Sequence, residues 1–273
     1  PLFVAVLTFP NAKINIGLNI LRKRPDGFHD ISSCFYPVML CDALEAMPSA
    51  KGSFYTSGQG ISNDEPNLVS KAFDLLAADF QIPRLDVYLL KGIPIGAGLG
   101  GGSSDAAFMI KLLNKAFHLK LSDTQMEDYA RKLGSDCAFF IRNKPMYCYG
   151  KGDQFEGITL SLKGRFLCLV NPGIHVPTAE AYAGIRPFET ATDLKTILAR
   201  PVPEWRNAVV NDFEQTIFTK YPSIARIKSD LYKAGALYAS MSGSGSSVYG
   251  IFENMPEIDN NFKNCFVWQG ELS

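Results

Sequence analysis

The stretch PIGAGLGGGSSDAAF runs from Pro94 to Phe108, and five of the seven residues from Gly96 to Gly102 are glycine. Glycine loses more backbone freedom on folding than any other residue, so such a run marks a place that admits no side chain. Ahead of it, Leu85, Val87 and Leu89 alternate with more polar positions, which predicts a half-buried strand. Behind it, Ala106, Ala107, Ile110, Leu113 and Phe117 form the apolar stripe of a helix, with Ser103 or Ser104 as the expected N-cap. In a strand–loop–helix setting, unpaired N–H groups and the positive end of the helix dipole face whatever approaches the loop. The expected ligand is phosphate. A surface linker would not carry an apolar strand on one side and a capped amphipathic helix on the other.

Several phosphate loops share glycine, and most are excluded. No lysine stands where G-x-x-x-x-G-K-[ST] requires one. Gly96-x-Gly98-x-x-Gly101 fits the dinucleotide pattern, but a glycine-rich run fits many patterns. The acid expected about 20 residues on is replaced by His118, Leu119 and Lys120. The HRD and DFG motifs of protein kinases are absent.

Outward from the loop, strands are expected at Leu2–Thr8, Ile14–Leu21 and Leu85–Leu90, with helices at Asn67–Phe80 and Ser122–Leu133. The latter opens on the capping box Ser122-x-x-Gln125 and stops at Gly134. From about Phe155 the pattern changes. A strand at Phe166–Val170 is followed by helices at Thr178–Ala183, Asp193–Ala199, Glu204–Thr219 and Ser223–Ala234. Strands at Ala236–Met241 and Ser247–Phe252 flank a second glycine–serine turn, and Cys265–Gln269 reads as a closing strand. Strands mixed with helices predict an α+β chain of two joined lobes, residues 1–155 and 156–273.

Composition narrows the class. The chain has 273 residues, 47% of them hydrophobic, which suffices for a large core. With 27 basic and 27 acidic residues it has no excess charge to attract nucleic acid or an anionic membrane. No apolar run approaches the ~18 residues of a membrane span. The apolar opening, PLFVAVLTF, ends at Pro10 and reads as a strand rather than a leader. None of the six cysteines makes a C-x-x-C pair, and His29, His118 and His175 form no ligand pattern with them. Reduced thiols in a cytoplasmic protein are expected.

Three motifs in order now carry a resemblance. The loop P-x-x-x-G-L-G-G-G-S-S resembles the phosphate loop of the GHMP small-molecule kinase superfamily. Pro10-Asn11-Ala12-Lys13-Ile14-Asn15-Ile16-Gly17-Leu18 resembles its first motif, and Ser242-Gly243-Ser244-Gly245-Ser246-Ser247-Val248-Tyr249-Gly250 its third. Three further stretches, Arg24-Pro25-Asp26-Gly27-Phe28-His29, Gly134-Ser135-Asp136-Cys137-Ala138-Phe139-Phe140 and Asn171-Pro172-Gly173…Pro177-Thr178, are similar to the branch acting on a cytidine-diphosphate-linked branched polyol in non-mevalonate isoprenoid synthesis. The resemblance implies a two-lobed α+β fold, a ribosomal-protein-S5-like N-terminal ATP-binding lobe and a ferredoxin-like C-terminal substrate lobe.

It also implies roles. A kinase must hold phosphate charge, place an alcohol in line and take its proton. Asp136 becomes the base and Lys13 the cation that stabilises transferring charge. Pro94, Ile95, Gly96, Ala97, Gly98, Leu99, Gly100, Gly101, Gly102, Ser103 and Ser104 bind ATP, with Asn67 and Lys91 lining the adenine and ribose. Asn15 addresses substrate, Phe28 and Tyr182 hold the cytosine between them, and His29 reads its edge. Relatives often have Tyr in place of Phe28, so stacking survives here and a hydroxyl contact does not. Magnesium enters as the ATP complex; no protein metal ligand is assigned. A monomer or weak homodimer is expected.

Other readings stay open at this point. One is another superfamily member, such as a homoserine or mevalonate kinase or a diphosphomevalonate decarboxylase. Another is a catalytically silent nucleotide-binding regulator on the same fold. The joint presence of Lys13 and Asp136 speaks against the regulator. The Asp26–His29 turn speaks against substrates that have no base to stack.

Overall fold

The computed structural model describes residues 5–58, 67–185, 187, 193–258 and 262–273. Its strands are β1 (Val6–Thr8), β2 (Asn11–Lys23), β3 (His29–Cys41), β4 (Ala43–Pro48), β5 (Phe54–Gly58), β6 (Leu85–Lys91), β7 (Met146–Tyr149), β8 (Gln154–Gly157), β9 (Phe166–Asn171), β10 (Tyr238–Met241), β11 (Val248–Phe252) and β12 (Phe266–Glu271). The helices are α1 (Leu68–Asp79), α2 (Gly101–Ala116), α3 (Asp123–Arg131), α4 (Phe139–Arg142), α5 (Thr178–Ala183), α6 (Leu194–Leu198), α7 (Phe213–Lys220) and α8 (Pro222–Lys233). They form two compact units interleaved along the chain. Pro1–Ala12, Leu40–Ile95 and Gly100–Lys144 make the first, and Lys13–Met39, Gly96–Leu99 and Pro145–Ser273 the second.

The first unit holds a sheet of order β1-β4-β6-β5. Strand β6 alternates as its sequence predicts, with Leu85, Val87 and Leu89 buried and Tyr88 and Leu90 exposed. It pairs antiparallel with β4 and parallel with β5, so α1 serves as the crossover between parallel neighbours. Helix α1 starts where expected, with Asn67 accepting from Val69 N at 2.8 Å as N-cap. The Ser122–Gln125 capping box opens α3. Helix α2 packs against α1, α3 and α4 and buries Ala106, Ala107, Ile110 and Leu113.

The second unit holds two sheets. One has the order β10-β11-β9-β12 with every pair antiparallel. The other runs β2-β3-β7-β8. Strand β2 is buried on both faces from Asn11 to Ile20. Ala12, Ile14, Ile16, Leu18 and Ile20 occupy one face. The other presents Asn11, Lys13, Asn15, Gly17 and Asn19, a buried polar row that period-two geometry puts on a single side.

The fold departs from the sequence reading in three places. Strand β2 is longer than Ile14–Leu21 at both ends. Strands β3, β4, β5, β7 and β8 were not expected. ALEAMP of β4 favours helix locally, but β4 is paired on both sides, and context overrides propensity. Leu2–Val4 of the first expected strand lies outside the described residues. The helix expected at Glu204–Thr219 is broken. A 3₁₀ turn covers Val202–Trp205, and α7 begins only at Phe213. Between them the backbone is drawn into pairing with β2. Leu18 N donates to Val210 O at 2.9 Å and Asp212 N to Leu18 O at 2.8 Å.

Asn211 holds that break. Its amide donates to Met241 O at 2.8 Å and Gly243 O at 2.9 Å, and its carbonyl accepts from Phe213 N at 3.0 Å. Asn211→Ala leaves these buried groups without partners and should cost about 2–4 kcal/mol of stability, read from urea unfolding. A loss under about 0.5 kcal/mol would show that water or a rearranged backbone replaces the amide.

Candidate functional site

In the second unit the polar row of β2 meets the middle of the glycine loop. Lys13 is 3% exposed. Its ammonium donates to Asn15 Oδ1 at 2.5 Å and to Gly98 O at 3.4 Å, and lies 4.5 Å from the Phe35 ring centroid. Lys13 and Asn15 thus leave the same face of an extended strand, as their spacing predicts. Asn15 Nδ2 donates to Ser33 Oγ at 3.0 Å, which donates to Gly17 O at 2.6 Å. The third motif closes on the same point. Ser242 Oγ accepts from Asn15 N at 3.2 Å and donates to Gly98 O at 2.8 Å, while Ser247 N donates to Ala97 O at 3.2 Å. Asn171 of the N-P-G stretch braces the turn, donating to Ser246 Oγ at 3.2 Å and Ser247 Oγ at 3.0 Å.

The same unit carries the aromatic residues. The turn between β2 and β3 is held by Arg24, whose guanidinium pairs with Asp26 at 3.1 Å and Asp30 at 2.8 Å. Gly27 supplies a φ of +85°, and Asp26 Oδ1 accepts from Phe28 N at 3.2 Å. This turn presents the Phe28 ring 56% exposed, with the Lys151 ammonium 5.0 Å from its centroid. Phe28 is therefore not core packing. His29 and Tyr182 stack on each other at 4.8 Å and 19°, and Tyr182 meets Phe213 edge-on at 4.8 Å. Burial, and secondarily the Lys23 charge, lower the His29 pKa from its ordinary value. The ring is thus neutral at pH 7, with one nitrogen donating and one accepting.

In the first unit the loop's far end becomes helix α2. Its N-cap is Gly100 at φ +69°, not Ser103 or Ser104, and no side chain caps it. The left-handed cap admits glycine without strain and leaves the first-turn N–H groups open. Burial pushes the nearby Cys137 thiol up to about 11, against the opposing influence of the Ser103 side chain. Half-buried Asp136 lies beside it, in the turn between α3 and α4. Ser104 is fully buried, and its hydroxyl has no partner among the described residues. Pro94 and Ile95 precede the loop, Ile95 exposed. Lys91 is buried, its ammonium bound to Asp42 Oδ2 and, at 2.6 Å, to Asp105 Oδ2.

The glycines answer to different neighbours. A Cβ on Gly98 would lie 2.1 Å from Ser242 O, so backbone of the third motif excludes a side chain there. On Gly101 it would meet Ile93 Cγ2 at 3.0 Å. On Gly102 the nearest atom is Leu68 Cδ1 at 3.8 Å, ordinary contact distance. The sequence reading named none of Ser242, Asp42 and Asp105 individually. Asp105 carried a signal, an acid directly after Ser103-Ser104 on the buried side of a helix. Asp42 carried none.

The model for the GHMP kinases N terminal domain matches residues 67–144, and that for the GHMP kinases C terminal matches residues 195–260. A 4-diphosphocytidyl-2-C-methyl-D-erythritol kinase of Bacteroides fragilis is 52% identical over 273 residues, covering 98% of this chain and all of the relative. One of Parabacteroides distasonis is 49% identical over 271 residues, with the same coverage. The crystal structure of a 4-(cytidine 5'-diphospho)-2C-methyl-D-erythritol kinase superposes with a TM-score of 0.77 at 30% identity, over 90% of each chain. The mevalonate kinase of Methanococcus jannaschii shares the fold, with a TM-score of 0.70 at 12% identity over both whole chains.

Two loop glycines should separate packing from ligand approach. Gly98→Ala should lower Tm sharply, since its methyl collides with backbone at a φ of +78°. Gly102→Ala should leave Tm unchanged or raise it, since alanine in an open helical position is favoured by about 0.5–1 kcal/mol. Equal losses in thermal denaturation would contradict this division.

Proposed function

The chain belongs to the GHMP kinases and, within them, to the 4-diphosphocytidyl-2-C-methyl-D-erythritol kinases, and from that premise we propose that it transfers the γ-phosphoryl group of ATP to the 2-hydroxyl of 4-diphosphocytidyl-2-C-methyl-D-erythritol. In the proposed reaction Asp136 accepts the hydroxyl proton as the oxygen attacks phosphorus, and the Lys13 ammonium stabilises the charge that develops. Asn15 holds Lys13 and addresses substrate through its remaining hydrogen-bonding capacity. Residues 94–104 bind the nucleotide. The open N–H groups at the start of α2 and the space at Gly102 suit phosphate oxygens, and this observation supports ATP as donor. Asn67 and Lys91 border adenine and ribose. Because the Lys91 ammonium is engaged by Asp42 and Asp105, Lys91 acts by anchoring the loop. Magnesium comes bound to the ATP phosphates, and no protein ligand is assigned to it. We take residues 1–155 as the ATP-binding lobe and 156–273 as the substrate lobe, a division that separates the two family matches, although residues 13–39, 96–99 and 145–155 pack with the second compact unit.

The observation that carries the choice of acceptor is Phe28. An aromatic ring more than half exposed on a turn held by charged side chains has a use if a base stacks on it; Tyr182, whose ring His29 covers in this structure, would face the base from the other side once the neutral His29 turns to the base's edge. A homoserine or mevalonate acceptor offers no such ring. We place the enzyme in the cytoplasm, as a monomer or weak homodimer acting on small molecules without nucleic acid or membrane partners. No helix among the described residues is long and apolar enough to cross a membrane.

A coupled ADP-release assay with the diphosphocytidyl polyol, and with mevalonate and homoserine as controls, tests the reading. Turnover with a control substrate instead would overturn it. Asp136→Asn should lower kcat by roughly 10²–10⁴-fold with ATP affinity retained. Phe28→Ala should raise KM for the cytidine substrate roughly ten- to a hundredfold, since a base–aromatic stack is worth about 1–3 kcal/mol. KM for ATP and Tm should hold, because the ring is exposed and far in sequence from the loop. A fall in Tm with the two KM values rising together would return Phe28 to a structural role.

A further inference from the structure

The cluster around Lys91 joins the two flanks of the glycine loop, both within the first unit. On the near side, Asp42 Oδ1 accepts from Gly92 N at 2.6 Å and Ile93 N at 2.8 Å. Its Oδ2 accepts from Lys91 Nζ. On the far side, Lys91 Nζ donates at 2.6 Å to Asp105 Oδ2, on the first turn of α2. A Cβ on Gly101 would lie 3.4 Å from Lys91 Nζ, so the ammonium sits against the helix start itself. All three side chains are buried, with Asp42 and Asp105 each 2% exposed. Asp105 Oδ1 is buried without a partner among the described residues.

The charges do not balance. Two carboxylates share one ammonium, so the fully ionised cluster carries a buried net negative charge beside the N–H groups offered to phosphate. One proton on Asp105 makes it neutral. The charges acting on Asp105 come from Lys91 at the end of β6 and Asp42 in the turn before β4.

We propose that Asp42, Lys91 and Asp105 are positioning residues that pin both ends of the nucleotide loop, and that Asp105 is in its neutral carboxylic acid form when ATP is bound. The inference rests on the reading of the α2 start as the phosphate site. Burial, and then the neighbouring Asp42, push Asp105 upward against the pull of Lys91, to about 8. Incoming phosphate charge pushes it further in the same direction. ATP binding is thereby coupled to proton uptake. The coupling is silent well below pH 8, where Asp105 already holds its proton. It weakens binding above pH 8, by up to about tenfold per pH unit for one proton. The stability linkage has the same sign. The folded-state pKa lies above the unfolded value, so this group's contribution falls as pH rises from the ordinary carboxylate range to about 8 and is constant above that.

The test is calorimetry of MgATP binding from pH 7 to 9, in two buffers of different ionisation enthalpy, on wild type and Asp105→Asn. The wild type should take up about three-quarters of a proton near pH 8.5 and lose roughly three- to tenfold in affinity between pH 7.5 and 9. Asp105→Asn, which fixes the neutral form, should bind with an affinity flat across that range and without proton uptake. It should also melt at or above the wild-type temperature at pH 8.5. Proton uptake by the wild type alone tests the coupling if the variant does not fold, and its absence overturns the proposal. Parallel pH dependence in both proteins also overturns it and leaves the phosphate site standing. No MgATP binding by either protein at any pH would sink the phosphate reading along with it.

Discussion

Ser242 and Gly98 meet with nothing but backbone between them. The Ser242 carbonyl occupies the space a Gly98 side chain would need, and the Ser242 hydroxyl bonds both Gly98 O and Asn15 N. Through this one residue the strand that carries Lys13, the middle of the glycine loop and the closing turn become a single object. The orientation of the Lys13 ammonium follows, because two of its contacts, Asn15 and Gly98, are themselves fixed by Ser242. So does the reach of the turn, which Asn171 and Asn211 hold from below and behind through buried carbonyls and hydroxyls. Buried polar groups are costly unless paired, and here the pairing is what determines the geometry.

That contact also shows which parts of the molecule could be read from the chain. The strand at Leu85–Leu90, the helix behind the loop, the Asn67 cap and the Ser122 capping box are local patterns, and each has its physical cause within a few residues. The shared face of Lys13 and Asn15 follows from the period of an extended strand. The reason for Gly98 does not, because the atom that excludes its side chain comes from 144 residues away. The loop's run of glycine invites one explanation, close approach of phosphate. The structure divides it among a protein carbonyl at Gly98, a packed isoleucine at Gly101 and open space at Gly102.

The misread segments have the same origin. ALEAMP, unassigned by its sequence, becomes a strand because strands pair on both sides of it. The Glu204–Thr219 stretch looks like one helix until Leu18 pairs with Val210 and Asp212. The helix cap was assigned to serine because serine caps helices well, yet a site that must present bare N–H groups gains from a residue with nothing to offer them. The Asp42–Lys91–Asp105 cluster was illegible for another reason. Its three members are scattered along the chain, and only burial turns them from ordinary surface charges into a group whose charge balance matters.

The interleaving of the two units bears on how the chain is made. The polypeptide passes from one unit to the other after Ala12, Met39, Ile95, Leu99 and Lys144. A ribosome that has released the chain as far as Lys144 has supplied every residue of the first unit. Residues 13–39 must meanwhile wait, although most of them end up buried. Strands β2 and β3 pair with each other, but their further partners β7, the Asn211 break and the Ser242 turn emerge later, so that hairpin lacks the rest of its packing for much of translation. Such a nascent chain folds late through non-local contacts and exposes sticky edges while it does so.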